Sequence, residues 1–520
     1  MLTYITKTSA ALGLLQRAKN APIIMLVAIA LAHTVLWGSA AYFLSGNLPL
    51  DAVESFYWGK ELQLGYFKHP PVSAWIAELA VRIFGRHDLL VFWLATGCSS
   101  AAILPLGLYI NRRYGYRVAI YTSLTALLTH FTTLSAVEYN VNMGFVPFWS
   151  LMLVAFLKAQ ENKGLFWWIV FGVISASGIM AKYMAGLLLV AITLWVLLAR
   201  RDILKQLGPY LAAGVFALLL IPHILWLISV DFLPISYALS RSNADSSFFY
   251  KHGLQPVKFL IEFIYSIAPM LIAAGCALGW SRIKLLFSLK EGAEVRSKIW
   301  AICQRPICAI ALLSIFVIFM LSLVAGAKIK TIWSMPLGIV FSVVIGSVIA
   351  SLEKEQTAKR FEALWLSLYS LLLVIFIAIM LIAPLVKKYP KRMLHDGPAL
   401  TEIALEYWQR YTKKPLEYIV GDHWPGGTVA WYAPSRPTMF EAASKVFSPW
   451  VNEKDLAQKG GLYVSYIPVK DGDVMAGLCI EHSKQMLWPA KYGKIYQKHP
   501  QIWLAIMVPL PTSNKCSVTE

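Results

Sequence analysis

Cysteine is scarce in this chain of 520 residues: there are six, and no pair is spaced as CxxC, so no cysteine metal cluster is indicated. Charge is scarce as well, at 14% of residues, where a soluble protein carries about a quarter. Acidic residues are the rarer sign, 28 against 47 basic ones, for a net charge of +19. The excess cations are spread over short segments between apolar runs and form no basic stripe on a soluble domain. That excludes a nucleic-acid-binding surface and points to membrane topology and anionic headgroups. No repeat period, low-complexity tract or pair of interrupted apolar runs stands out, which argues against the common transporter folds.

What the chain has in abundance is apolar sequence, 58% of residues with a mean hydropathy of +0.59. A bilayer core takes about 20 apolar residues per helix. Eleven runs fit a polytopic α-helical membrane protein, near 22–44, 88–110, 117–134, 143–157, 165–180, 183–199, 208–229, 258–280, 306–326, 331–350 and 363–386. The first follows Lys7, Arg17 and Lys19 and lacks a small-residue cleavage site, so it reads as a retained anchor with a cytoplasmic N-terminus. "NRRYGYR", "ARRDILKQ", "SRIKLLFSLKEGAEVRSKIW" and "LEKEQTAKR" then fall on one side, and all are basic, as the positive-inside rule requires. The opposite, periplasmic side receives the first long loop, 45–87, and everything after about 388.

These boundaries predict a transmembrane domain over 1–387 and a small α/β domain over 388–520. In the latter, "ALTEIALEYWQRY" has helical spacing and "TVAWYA" reads as a short helix after "PGG". "LEYIVG", "GLYVSYIPV" and "IWLAIMVPLP" read as strands. The 45–87 loop predicts two amphipathic helices, "DAVESFYWGKEL" and "VSAWIAELAVRIFG", parted by "YFKHPP", because paired prolines stop a helix. Both are expected to lie at the membrane interface, with rings among the headgroups.

The outer ends of the spans collect the chemistry. Asp51 and Glu54 share a helical face. Asp51 reads either as the cap of the helix it precedes or as a base, and the two are compatible. Lys68 and His69, on a proline-stiffened turn, read as phosphate ligands or as snorkelling groups. Glu138, Asn140, Asn142, Lys182, Tyr183, Asp231, Arg241, Asn243, Lys328 and Lys330 also fall at outer ends, where ionisable groups tend to face a polar cavity. His130 and His223 sit inside apolar runs as hydrogen-bonded packing residues. Cys98, Cys276, Cys303 and Cys308 read as small hydrophobes, whereas Cys479 and Cys516, both outside, either pair or stay free.

"LDAVESFYWGKELQLGYFKHPPVSAWIAELAVRIFG" resembles the first outer loop of GT-C glycosyltransferases of the PMT/ArnT-like group, glycosyltransferase family 39 with its RgtA/B/C/D-like domains. The matching residues are Asp51, Tyr57, Trp58, Gly65, Tyr66, Phe67, His69, Pro70 and Pro71. "EYNVNMGFVPFW", "MAKYMAGLLL", "GAKIKTIWSMPL" and "EYIVGDHWPGGTVAWYAPSRPTMF" extend the likeness over most of the chain. The chain departs from the pattern in that the usual adjacent acidic pair is spread to Asp51 and Glu54, and amides stand near a second acidic position, at Asn140 and Asn142. No metal site is therefore carried over, although a divalent metal is compatible with the group.

The resemblance implies a membrane enzyme that moves a sugar, with inversion, from a polyprenyl-phosphate donor to a lipid A, lipopolysaccharide or other envelope acceptor at the outer face of the inner membrane. In that reading Asp51 is the base and Glu54 positions the acceptor. Tyr66, Lys68, His69, Lys182, Arg241, Lys328 and Lys330 bind the donor's phosphate or sugar. The competing readings are a transporter or flippase of lipid-linked precursors and an assembly factor without chemistry.

Overall fold

The computed structural model describes residues 13–510, except 163, 243–246, 280–283, 285–291, 354, 493–495 and 497, together with Cys516. Lys7, Asn243 and much of the basic 281–300 segment thus lie outside the described residues. The chain is a multi-pass membrane protein. Among the described residues eight helices are long and apolar enough to cross a bilayer, from Pro22–Leu44 to Gln356–Val386. The expected runs at 165–180 and 183–199 are shorter apolar helices, Phe166–Ala181 and Ala185–Ala199. The run at 117–134 is helical only over Tyr116–Ala126. Beyond it, Thr132 and Thr133 donate their hydroxyls to Ala126 O and Thr129 O at 2.8 and 2.7 Å, local bonds that compete with the helical ladder.

Above the spans lie the two amphipathic helices, Leu50–Lys60 and Val72–Phe84. They meet closely: a Cβ on Gly59 would collide with the Ala74 carbonyl oxygen. The turn between them is closed by Tyr66 N–H to His69 O at 2.9 Å and His69 N–H to Tyr66 O at 3.1 Å, and Pro71 starts the second helix.

After Val386 the chain builds a six-stranded sheet in the order β2-β1-β3-β6-β5-β4. Its strands are β1 (Tyr418–Gly421), β2 (Thr438–Glu441), β3 (Gly461–Ser465), β4 (Val474–Met475), β5 (Leu478–Leu487) and β6 (Gln501–Pro509). β1 runs parallel to β2 and β3, and the remaining pairs are antiparallel. The helices Gly397–Tyr411 and Pro425–Tyr432 are those read from the sequence. β2, β4 and β5 were not foreseen: β2 and β4 are four and two residues long, and β5 is polar in its middle, with a bulge between Glu481 and Lys484. Cys479, on β5, is disulfide-bonded to Cys516.

This layer sits directly on the two outer helices. Phe56 packs on Trp431 with centroids 4.6 Å apart, and a Cβ on Gly427 would come within 2.6 Å of Val53. Arg436 Nη2 reaches Glu78 Oε2 at 2.7 Å, and Lys60 Nζ donates to Thr438 Oγ1 at 2.9 Å. The expectation that the loop's rings sit among headgroups is corrected here. Phe56, Tyr57, Trp58 and Tyr66 are 1%, 6%, 1% and 1% exposed, because the sheet layer covers them and removes their apolar area from solvent.

Candidate functional site

Between the spans and the outer layer lies a cavity of about 340 Å³. Its walls come from five places along the chain: Asp51 to Pro70, Asn140 to Asn142, Lys182 to Met184, Tyr237 to Arg241, and Lys330 to Trp333. The last four lie at alternate connections between apolar segments, which a chain crossing back and forth returns to the same face.

Asp51 and Glu54 both line the cavity. Asp51 does not cap its helix, contrary to one of its two sequence readings. The N-cap is Pro49, no side chain caps it, and Asp51 is an exposed residue of the first turn. Pro49, with its fixed φ, already starts the helix, so the Asp51 carboxylate is free of that duty.

Glu54 has a different environment. Lys68 Nζ donates to its Oε1 at 2.5 Å, and both side chains are largely buried, at 7% and 17% exposure. Burial pushes the Glu54 carboxyl up to about 8, with Lys68 pulling it down and Glu441 pushing it further up. Burial raises Glu441 too. Burial lowers Lys68, but Glu54 and Glu441 together outweigh it, so its ammonium is raised above its ordinary value. Two acids thus share one cation, and near neutral pH one proton stays with the pair of carboxyls. Tyr57 Oη donates to Glu441 Oε2 at 2.7 Å, tying the pair to β2.

His69 faces Lys68, Lys182 and Lys330, and burial together with these cations holds its imidazole down to about 3. It is therefore a neutral hydrogen-bonding group in this cavity. Lys182, in the link after Phe166–Ala181, donates to Asn142 Oδ1 and lies 5.5 Å from the Trp333 ring centroid. Burial, then Lys330, lowers it to about 7. Lys330 is lowered by burial and by Arg241 and Lys328. A cavity whose cations depress one another's protonation is short of negative charge, the state an incoming anion relieves.

The structure therefore brings together Asp51, Glu54, Lys68, His69, Lys182, Arg241 and Lys330. It leaves two residues outside the lining. Tyr66 is buried against Trp58, stacked at 4.9 Å and 5°, with its hydroxyl donating to Trp58 O at 2.7 Å; that contact shapes the turn carrying Lys68. Lys328 is exposed beside the cavity. Glu441 was missed as a neighbour of Glu54, and its one signal was an acid ending the apolar strand "TMFE". Tyr237 lines the cavity with its ring 6.5 Å from His69, and it carried no charge to draw notice. Asn140 caps the Val141–Glu161 helix through Asn142 N–H and Met143 N–H. His223 bonds Leu64 O and the Tyr183 hydroxyl at 2.7 and 3.0 Å, the packing role expected of it. Among the described residues no group of three or more His, Cys, Asp or Glu is placed to hold a metal ion.

With this geometry in hand, comparison with known proteins gives a consistent result. Residues 68–226 match the family model of dolichyl-phosphate-mannose-protein mannosyltransferase. The matched segment is under a third of the chain. Lipid A galacturonosyltransferase RgtD of Rhizobium johnstonii is 24% identical over 188 residues, 35% of this chain and 39% of that relative. The match thus spans well under half of the relative's length. ArnT from Cupriavidus metallidurans, in its crystal structure bound to undecaprenyl phosphate, superposes with a TM-score of 0.59 at 14% identity, covering 93% of this chain and 97% of that one. Its apo structure gives 0.58, also at 14% identity, with 94% and 98% covered. The ArnT-like fold over nearly the whole length, sheet layer included, agrees with the fold class read from the sequence.

Proposed function

We propose that this protein is an inverting glycosyltransferase that takes its sugar from a polyprenyl-phosphate donor. The supporting observation is one cavity that holds an uncapped carboxylate, Asp51, together with Lys182, Arg241 and Lys330. A lipid phosphate leaving the anomeric carbon develops negative charge, which fixed cations in a low-dielectric cleft stabilise. An acceptor hydroxyl attacking from the other side loses a proton, which Asp51 takes. Glu54, bound to Lys68, acts as a neutral or ion-paired positioning group. Lys328 contributes from outside the lining through its field on Lys330. The family match and the lipid A activity in the relative's name support an acceptor in the envelope, lipid A or lipopolysaccharide.

In this reading residues 1–387 form the catalytic membrane domain and 388–520 a periplasmic domain that roofs it, with the N-terminus cytoplasmic. The basic connections at the end of the spans away from the cavity support that orientation, and so does the Cys479–Cys516 disulfide, which belongs in an oxidising compartment.

The test is mass spectrometry of lipopolysaccharide and envelope glycans with and without the gene, paired with purified protein given undecaprenyl-phosphate-linked sugars and lipid A. A glycan lost with the gene and remade by the purified protein is the expected result. Donor lipid moved between leaflets with no sugar transferred would replace the proposal with the flippase reading.

A further inference from the structure

At the far end of the spans from the cavity lies a second enclosure, of about 250 Å³. Asp88–Tyr114 has 27 residues, about 40 Å of helix at 1.5 Å per residue, so its Arg112 end and its Asp88 end belong to opposite leaflets. Leu108, Leu151, Val154 and Ile174 supply an apolar wall, and Arg112 and Lys158 stand at its rim. Pro105 also lines it, inside the helix, where a proline removes a ladder hydrogen bond and opens the surface.

The rim cations are not held in direct ion pairs, although Glu161 acts on Lys158 from a distance. Glu161 accepts from Tyr109 Oη at 2.7 Å and forms its ion pair with Arg113, whose Nε lies 3.3 Å away. Among the described residues neither Arg112 nor Lys158 forms an ion pair with an acidic side chain. Lys158 instead lies 4.2 Å from the Trp167 ring centroid, a contact that holds the ammonium over the pocket mouth while leaving its N–H donors open.

We propose that this enclosure binds an anionic phospholipid of the leaflet opposite the cavity, with one acyl chain against the leucine and isoleucine wall and the phosphate between Arg112 and Lys158. Charge complementarity selects the occupant. Two cations at headgroup depth attract an anionic lipid, and basic pockets between spans recognise such headgroups. A zwitterionic lipid fills the apolar part equally well but brings its own ammonium to the rim. The site is independent of the catalytic reading, because it shares no residue with the cavity.

The test uses the purified full chain in detergent, titrated with phosphatidylglycerol, phosphatidylcholine or inorganic phosphate and followed by native mass spectrometry and thermal shift. Phosphatidylglycerol should bind at least tenfold more tightly than phosphatidylcholine, and inorganic phosphate should not displace it. Arg112→Gln with Lys158→Gln should abolish the preference, whereas Lys158→Arg and Lys205→Gln, an exposed lysine outside the lining, should keep it. Equal binding of the two lipids by the wild type, a preference surviving the double substitution, or displacement by inorganic phosphate would each overturn the proposal.

Discussion

At the residue scale, two carboxylates three positions apart on one helix have been given different environments. Asp51 is exposed to the cavity and caps nothing, so Asp51→Asn should leave the fold intact. Turnover should fall by about a hundredfold or more, the usual worth of a general base. Unchanged melting with lost sugar transfer is the expected pair of results, and full turnover would remove Asp51 from the chemistry. Glu54→Gln should weaken transfer only moderately, since Glu54 already keeps a proton near neutrality. Lys68→Met is the harsher change. It leaves Glu54 and Glu441 buried without their cation, at a cost of about 3–5 kcal/mol, readable as a lower Tm. Lys182 offers a different handle. Its ammonium is lowered to about 7 by burial and Lys330, and a bound phosphate favours the charged form. Donor affinity should therefore weaken more than about tenfold as pH rises from about 6 to about 9. Lys182→Gln should flatten that dependence in a binding titration.

At the element scale, the roof and the outer helices form one layered unit. The contact depends on glycines: Gly59 lets the two outer helices touch, and Gly427 lets Pro425–Tyr432 rest on Val53 and Tyr57. Gly59→Ala pushes a Cβ into a backbone carbonyl that cannot swing aside, so it should lower stability by about 1–3 kcal/mol. Because the same displacement moves the turn carrying Lys68, turnover should drop with it. Ionisation within this layer also sets a pH window. Glu54, raised from 4.5 to about 8, keeps a proton that the unfolded chain gives up. Its stabilisation is complete below about 4.5 and is lost as pH climbs through about 8. His69 and His423, held down to about 3 and about 4, chiefly by burial, act in the opposite sense. The unfolded chain takes protons that they refuse, so stability falls as pH drops below about 6.5. These three groups together favour the fold most near about pH 6.5, and their contribution falls from there to about 8; in a Tm series Glu54→Gln should remove that fall relative to wild type.

At the scale of the whole molecule, the cavity gathers alternate connections between apolar segments, while the opposite connections are the short basic ones, such as "NRRYGYR" and "ARRDILKQ". A membrane-impermeant thiol reagent on intact cells should therefore label Lys454→Cys in the roof and spare Lys205→Cys. Both positions are exposed in the fold, so accessibility alone does not separate them. The reverse pattern would invert the orientation.

Much of this was legible in the chain itself. Long apolar runs announce spans because a bilayer leaves the backbone no other partner than itself. The paired prolines and the 3.6-residue spacing of Val72, Trp75, Ile76 and Leu79 announced the outer helices, since both signals are local. Asp51, Lys182 and Lys330 could be named because charge at the end of an apolar run is conspicuous. Other features are decided only when distant segments meet. Glu441 lies 387 positions from Glu54 in the sequence, and nothing near either one foretells that they share Lys68. The aromatic cluster around Trp58 looks like an interfacial belt until the sheet layer buries it. Lys328 and Lys330 are alike in sequence, yet only Lys330 lines the cavity. Hydropathy and propensity are properties of neighbouring residues, whereas the protonation of a carboxyl and the covering of a ring depend on which remote atoms displace water from them, and that is settled by tertiary packing.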